Sequence, residues 1–217
     1  MTLFRLDASI LPASSSSREI ADIVEQQWTA QHPDDEVIRR HVGSQPLPAE
    51  AWADAVTAGF TPEDQRTEGQ QSAVALAAEL VEELTSADAV LLAVPLYNFG
   101  VSQHVKAWID LVIAGSGPGA TLLAGKPVVL TTVRGGSYAV GTPREGWDHS
   151  TDFLRRILAD VWGGDLTVVE REFTLVGVNP ALDEFTELAQ EIHDKALSAA
   201  REAGDALGAP REQRRAS

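Results

Sequence analysis

Strand-like and helix-like segments alternate along this chain, and that alternation restricts its fold more than any other feature. Residues 89–94 form an unbroken apolar run, which is typical of a strand buried on both faces of a parallel sheet. Between the strand-like runs, apolar side chains recur at helical spacing. The pattern therefore predicts an α/β fold, a doubly wound five-stranded parallel sheet with helices on both faces. The other four strands are predicted at 2–7, 36–42, 128–133 and 166–173.

Several short motifs predict where helices begin. Ser16 and Glu19 have the spacing of a capping box, so the first helix is expected to begin there. Thr61-Pro62-Glu63-Asp64 resembles another helix start, with a capping threonine, a first-turn proline and acids near the positive end. A short helix is predicted at 51–58 and a final one at 180–203. We expect one domain over residues 1–207 and a flexible tail over 208–217, which lacks apolar periodicity.

Composition excludes several classes of function. The chain has no cysteine, so thiolate catalysis, thiolate zinc sites and iron–sulfur clusters are ruled out. Its five histidines lack ligand spacing, and no metal site is predicted. A formal net charge of -15 disfavours nucleic acid and anionic membrane as partners. With no signal peptide or transmembrane stretch recognisable, we expect a cytoplasmic protein.

The loop after the first predicted strand contains Ser14-Ser15-Ser16-Ser17. Hydroxyls and backbone N–H groups that open a helix make a site for anions such as phosphate. The alternative is that Ser16 simply caps the helix. In parallel α/β sheets, ligands bind beyond the carboxyl ends of the strands, which is where this loop is predicted to lie.

Two further loops should reach the same edge. One is Leu96-Tyr97-Asn98-Phe99. Its aromatic rings and amide could lie along a flat heteroaromatic ring of a ligand. The alternative is that the aromatic side chains only plug the end of the sheet. The other is Val133-Arg134-Gly135-Gly136. Its glycines allow the backbone to approach a ligand closely, and Arg134 could stabilise an anionic ring; an ordinary glycine turn with a solvated arginine is the alternative.

Taken in order, the serine cluster, Pro95-x-Tyr97-Asn98-Phe99 and Arg134-Gly135-Gly136 resemble the FMN-dependent NADH:quinone oxidoreductase and azoreductase family, which has the flavodoxin-like fold. The likeness extends from residue 2 to about the final helix. This chain departs from the family pattern at two residues: Val133, where the family often has serine, and Ser16, where it often has glutamine. The segment 111–125 is also shorter than in typical azoreductases.

The resemblance implies a role for each loop. The serines would hold the FMN phosphate, the loop after the third strand would flank the isoalloxazine ring, and the glycine loop would approach its pyrimidine edge. No catalytic side chain is obligatory, although Arg134 could stabilise negative charge near that edge. The implied FMN-binding residues are Ser9, Ser15, Ser16, Ser17, Leu96, Tyr97, Asn98, Phe99, Val133, Arg134, Gly135 and Gly136, and the substrate-pocket candidates are Phe60, Tyr138 and Trp147.

The function that follows is an FMN-dependent oxidoreductase. It would pass hydride from NADH or NADPH through flavin to a quinone, azo or related aromatic acceptor by a ping-pong mechanism. Family resemblance also implies a homodimer with active sites at the interface. Two alternatives stay open: a dedicated biosynthetic reductase of one quinoid or aromatic intermediate, and a flavodoxin-type electron carrier without enzymatic activity.

Overall fold

The computed structural model describes residues 1–209 and contains one five-stranded sheet. All neighbouring strands pair in parallel, in the order β2-β1-β3-β4-β5. This order is that of the flavodoxin-like doubly wound sheet, so the predicted fold class is confirmed. The strands are β1 (Thr2–Asp7), β2 (Glu36–His41), β3 (Ala89–Pro95), β4 (Pro127–Val133) and β5 (Asp165–Arg171).

Helices connect the strands and cover both faces of the sheet. The helix after β4 continues from an α-helical turn into a π-helical segment, Arg156–Val161. No helix within residues 1–209 has the length and apolarity to cross a lipid bilayer. The helices are α1 (Ser16–Gln31), α2 (Ala51–Ala58), α3 (Glu68–Ser86), α4 (Gln103–Ser116), α5 (Thr151–Arg155) and α6 (Thr186–Gly208).

One predicted helix start was wrong, and one predicted cap was displaced by one residue. Thr61-Pro62 is followed by a 3-10 turn, Glu63–Gln65, and the α-helix α3 begins only at Glu68. There Thr67 and Gln70 form a reciprocal capping box, which satisfies two backbone N–H groups at once. At α1 the capping residue is Ser15, whose side chain accepts a hydrogen bond from the backbone N–H of Arg18, so Ser16 is the first helical residue.

The final helix was also predicted with the wrong bounds. Residues Pro180–Phe185 form a 3-10 turn, and α6 then extends to Gly208. Asn179 explains the late start, because its side chain accepts from the N–H of Ala181 and caps the 3-10 turn instead. The predicted tail therefore shares Gly208 with α6, and its residues 210–217 lie outside the described part of the chain.

The core has two layers, one on each face of the sheet. On one face Phe4 stacks with Trp108, which meets Trp162 edge to face at 5.7 Å between ring centroids. On the other face α1 and α6 pack together through Val24, Trp28 and the alanines of α6. Gly204 allows the close approach of these two helices, because a Cβ there would lie 2.7 Å from the carbonyl oxygen of Val24.

Candidate functional site

The loops that follow β1, β3 and β4 meet in one cleft at the carboxyl edge of the sheet. This convergence follows from the strand order, because β1, β3 and β4 are adjacent and parallel. The cleft has a volume of about 530 Å³. Its walls are formed by Ser9, Leu11, Ser14, Ser15, Ser16, Pro95, Leu96, Tyr97, Asn98, Phe99, Val133, Gly135, Tyr138, Arg144, Thr174, Leu175 and Val178.

Serine side chains form the end of the cleft at the N-terminus of α1. Ser14, Ser15 and Ser16 line the cleft and also a shallow depression beside it. The first turn of a helix leaves backbone N–H groups without intrahelical partners, and these groups with the helix dipole favour an anion. Ser17 differs from the other three: it is buried, lies outside the cleft wall, and its Oγ lies 3.1 Å from that of Ser15.

The loop after β3 makes a tight turn with strained backbone. Asn98 and Phe99 have φ angles of 49° and 69°, a region that residues other than glycine rarely adopt. The N–H of Gly100 donates to the carbonyl of Tyr97 across the turn at 3.0 Å. The phenol oxygen of Tyr97 accepts from the N–H of Ile10 at 3.3 Å, which ties this turn to the β1 loop.

Of the glycine loop after β4, Val133 and Gly135 line the cleft. Gly135 packs tightly, since a Cβ there would lie 2.6 Å from a methyl group of Leu175. Gly136 lies behind it, in the wall of a second cavity. The loop is held from outside by Glu172, whose carboxylate accepts from the Ser137 hydroxyl and from the Tyr138 N–H, each at 2.7 Å.

The Arg134 side chain does not line the cleft, contrary to its suggested role beside a ring. It is 8 % exposed, and its guanidinium donates to Asp148 at 2.6 Å, Glu170 at 3.0 Å and Thr151 at 3.1 Å. Three acceptors therefore satisfy the charge inside the protein. Arg134 therefore links the glycine loop to Asp148 and Thr151 at the start of α5.

Neighbouring charges and hydrogen bonds favour the ionised forms of both Arg134 and Asp148. Burial alone would lower the pKa of Arg134, but hydrogen bonds and charges from Glu170 and Asp148 raise it overall. Burial likewise opposes ionisation of Asp148. Hydrogen bonds from Thr151, Ser150 and Arg134 nevertheless lower the pKa of Asp148 below its ordinary value of 3.8.

The segment around Asp148 also supports the strained turn. Trp147 meets the Phe99 ring edge to face, with 5.5 Å between centroids. His149, two residues after Trp147, donates its backbone N–H to the Phe99 carbonyl at 3.0 Å. Arg134 thus connects two of the three loops of the cleft through Asp148.

The substrate-pocket candidates have different surroundings. Tyr138 lines the cleft, and Trp147, which is half exposed, reaches it only through Phe99. Phe60 is 88 % exposed and lies outside the cleft wall. The structure therefore does not place Phe60 at the site, because α2 ends two residues earlier, at Ala58, and leaves Phe60 on the surface.

A fourth loop, which was not predicted from the sequence, also lines the cleft. Thr174, Leu175 and Val178 follow β5 and form part of the cleft wall, and Arg144 contributes from the long β4–α5 connection. The rule that loops at the carboxyl ends of parallel strands bind ligands applies to β5 as well, and could have identified this segment.

Comparison with known proteins places this architecture in a family. A family model described as the flavodoxin-like fold matches residues 1–200. A protein of Frankia casuarinae named FMN-dependent NADH:quinone oxidoreductase is 41% identical over 204 residues, which is 92% of this chain and 96% of that protein. A protein of the same name from Streptomyces avermitilis is 38% identical over 216 residues, covering 96% of this chain and 99% of its own.

Solved structures show the same fold. The crystal structure of an azoreductase from Bacillus anthracis superposes with a TM-score of 0.76, covering 94% of this chain and 99% of its own. The sequence identity is 20%, so this likeness concerns the fold alone.

Proposed function

Since the chain belongs to the flavodoxin-like family that contains the FMN-dependent NADH:quinone oxidoreductases, we propose that it is itself an FMN-dependent oxidoreductase. NADH, or NADPH, serves as the electron donor and a quinone, azo compound or related aromatic molecule as the acceptor. With a quinone the reaction is balanced as NADH, a proton and quinone giving NAD⁺ and hydroquinone. The observation that carries the proposal is the cleft, in which the three predicted loops meet.

The residues of the cleft fit FMN in both charge and shape. At one end, three serines and the N-terminus of α1 suit the phosphate, which the overall acidic charge of the chain would otherwise repel. At the other end, Leu96, Tyr97 and Asn98 form a wall against which a flat ring can lie. Leu175 fills the space that a side chain at position 135 would need, so the backbone of Gly135 forms this part of the wall.

Bound FMN would supply the two-electron redox chemistry, and the chain would supply position and electrostatics. Backbone groups at 133–135 suit the polar edge of the ring, while the half-exposed Phe99 leaves its outer side open. Donor and acceptor would then occupy the same open side in turn, which is the basis for a ping-pong order. Two exposed apolar side chains lie in the wall of the cleft, Leu11 at 62% and Val178 at 74% exposed, and they support a homodimer that covers the opening.

The proposal is tested by the visible absorption spectrum and by reduction with NADH. We expect one FMN per chain and rapid loss of flavin absorbance after anaerobic mixing with NADH, followed by recovery when a naphthoquinone is added. A protein that binds FMN but is not reduced by NADH would be an electron carrier instead. A protein that stays colourless after incubation with FMN would refute the proposal.

The kinetic order has its own test. Initial rates measured while NADH and quinone are both varied should give parallel double-reciprocal lines, as a ping-pong order requires. Intersecting lines would show that donor and acceptor are bound together.

A further inference from the structure

Thr131 carries a buried hydroxyl that connects the sheet to the phosphate end of the cleft. It lies in β4, two residues before Val133 of the cleft wall, and none of its surface is exposed. Its Oγ1 donates to the carbonyl oxygen of Ser17 at 3.2 Å, and the carbonyl oxygen of Leu92 lies farther away, at 3.5 Å. The better hydrogen bond is therefore made to the first turn of α1.

Further hydrogen bonds lead from Ser17 to the cap of α1. The Ser17 side chain is also buried, and its Oγ lies 3.1 Å from the Oγ of Ser15. Ser15 accepts from the N–H of Arg18 and lines the cleft. Two contacts therefore connect Thr131, in the centre of the sheet, with a hydroxyl at the surface of the cleft.

Apolar packing alone does not account for a threonine at this position. Val129 and Val133 flank it along the same face of β4, and Ile20 and Val24 of α1 belong to the same apolar layer. A valine would fill nearly the same volume and would bring no polar atom that needs a partner. What the hydroxyl adds is a directional bond, which apolar contact cannot supply.

We propose that Thr131 is a positioning residue for the phosphate of FMN. The inference rests on the proposed function, because it concerns the same cofactor site. Thr131 is absent from the cleft wall, so it acts through α1 and not by touching the ligand. Backbone N–H groups at a helix start bind an anion only when they point at it. By holding the Ser17 carbonyl, Thr131 fixes the first turn of α1 so that these groups and the Ser15 hydroxyl face the cleft.

The first test separates the phosphate from the rest of the cofactor. Riboflavin has the ring and ribityl chain of FMN without the phosphate. The ratio of its Kd to that of FMN therefore measures the contribution of the phosphate end. In fluorescence titrations of the flavin-free protein, Thr131→Val should lower this ratio about tenfold, the effect of one hydrogen bond, and leave the Kd of riboflavin unchanged. An unchanged ratio, or an equal loss of affinity for both flavins, would overturn the proposal.

Thr132→Val is the matched control. Thr132 is the next residue of β4, is equally buried and faces the opposite layer of the core. Within residues 1–209 its hydroxyl has no hydrogen-bond partner. Both variants exchange the same atoms in the same strand, so Thr132→Val should keep the wild-type ratio. Equal falls of the ratio in the two variants would show an effect of the strand and contradict a role for the bond to Ser17.

A second pair of variants decides the question if Thr131→Val does not fold. Thr131→Ser and Thr131→Ala both lose the methyl group, and only the serine keeps the hydroxyl. We expect a ratio close to that of wild type for Thr131→Ser and a ratio about tenfold lower for Thr131→Ala. The same ratio in both would exclude the hydroxyl as the positioning group.

Hydrogen exchange of the flavin-free protein tests the anchoring of α1 without any ligand. The amides of Arg18 and Glu19 donate to the Ser15 side chain and carbonyl. In Thr131→Val they should exchange about two- to tenfold faster than in wild type, while amides in the middle of α1 stay the same. Unchanged exchange at Arg18 and Glu19 would show that Thr131 does not anchor the turn. A wild-type protein that binds neither flavin would instead refute the proposed function, and the exchange rates would still decide the role of Thr131.

Discussion

Replacing Arg134 with methionine removes a buried cation while keeping most of the side-chain volume. Three hydrogen bonds are lost, to Asp148, Glu170 and Thr151, and the Asp148 carboxylate is left largely buried without its countercharge. Removing one partner of a buried ion pair costs about 3–5 kcal/mol. Because Glu170 is 38% exposed and can turn to solvent, we expect the lower end, about 3 kcal/mol. For a chain of this size that corresponds to a fall in Tm of about 9 °C.

The measurement is urea unfolding of the flavin-free protein followed by circular dichroism, at fixed protein concentration, because a bound ligand would shift the apparent stability by an amount that depends on its affinity. Arg134→Met should also weaken FMN binding, since Asp148 positions the segment that supports Phe99. FMN affinity is measured independently by fluorescence titration of the protein stripped of flavin. This second reading separates loop positioning from general loss of stability.

A double-mutant cycle with Asp148→Asn tests the reasoning itself. If Arg134 stabilises the protein chiefly by compensating the buried carboxylate, the double variant should be about 2 kcal/mol more stable than the sum of the single effects predicts. Strict additivity of the two changes, or a loss below about 1 kcal/mol for Arg134→Met alone, would contradict the argument.

Further predictions concern the phosphate end, the strained turn, one helix contact and pH. Ser16→Glu should lower FMN affinity at least about 100-fold by charge repulsion, whereas the exposed Ser198→Glu should not, as measured by fluorescence titration. Tyr97→Phe loses two long hydrogen bonds, with the Ile10 N–H and the Ser9 hydroxyl, so FMN affinity should fall only about two- to fivefold. Gly115→Ala should destabilise by about 2 kcal/mol in urea unfolding despite better helix propensity, because its Cβ would lie 2.7 Å from a carbonyl oxygen of α3. The pKa of Asp148 is lowered in the folded state, so its ionised carboxylate contributes to the free energy of unfolding above pH 3.8. That contribution is lost as the pH falls below 3.8 through the lowered pKa. Asp148→Asn should therefore lose less stability than wild type on acidification from about pH 5 to about pH 3.

The sheet and the meeting of the loops could be predicted from the sequence because both depend on local patterns. The apolar run at 89–94 identifies a central strand, and the parallel order then brings the loops after β1, β3 and β4 to one edge. The direction of the Arg134 side chain could not be predicted in this way. It is decided by Asp148 and Glu170, which are distant in sequence and lie on separate elements.

Competition between similar local signals explains the misplaced helix start and the misplaced cap. Thr61 and Thr67 are both of a residue type that favours helix caps, but only Thr67 has a glutamine at the third helical position to return the hydrogen bond. In the serine run, any of several hydroxyls could cap α1. The choice of Ser15 depends on where the preceding 3-10 turn ends, and that is set by the packing of the loop.

The packing of α6 against α1 has a consequence for how the protein is made. The buried face of α1, including Val24 and Trp28, is covered by the last helix of the described chain through the close contact at Gly204. During synthesis α1 therefore emerges from the ribosome about 170 residues before its covering helix. Because α1 also carries the serine end of the cleft, the cofactor site acquires its final rigidity only after α6 has been synthesised, and cofactor loading should follow the docking of α6 on α1.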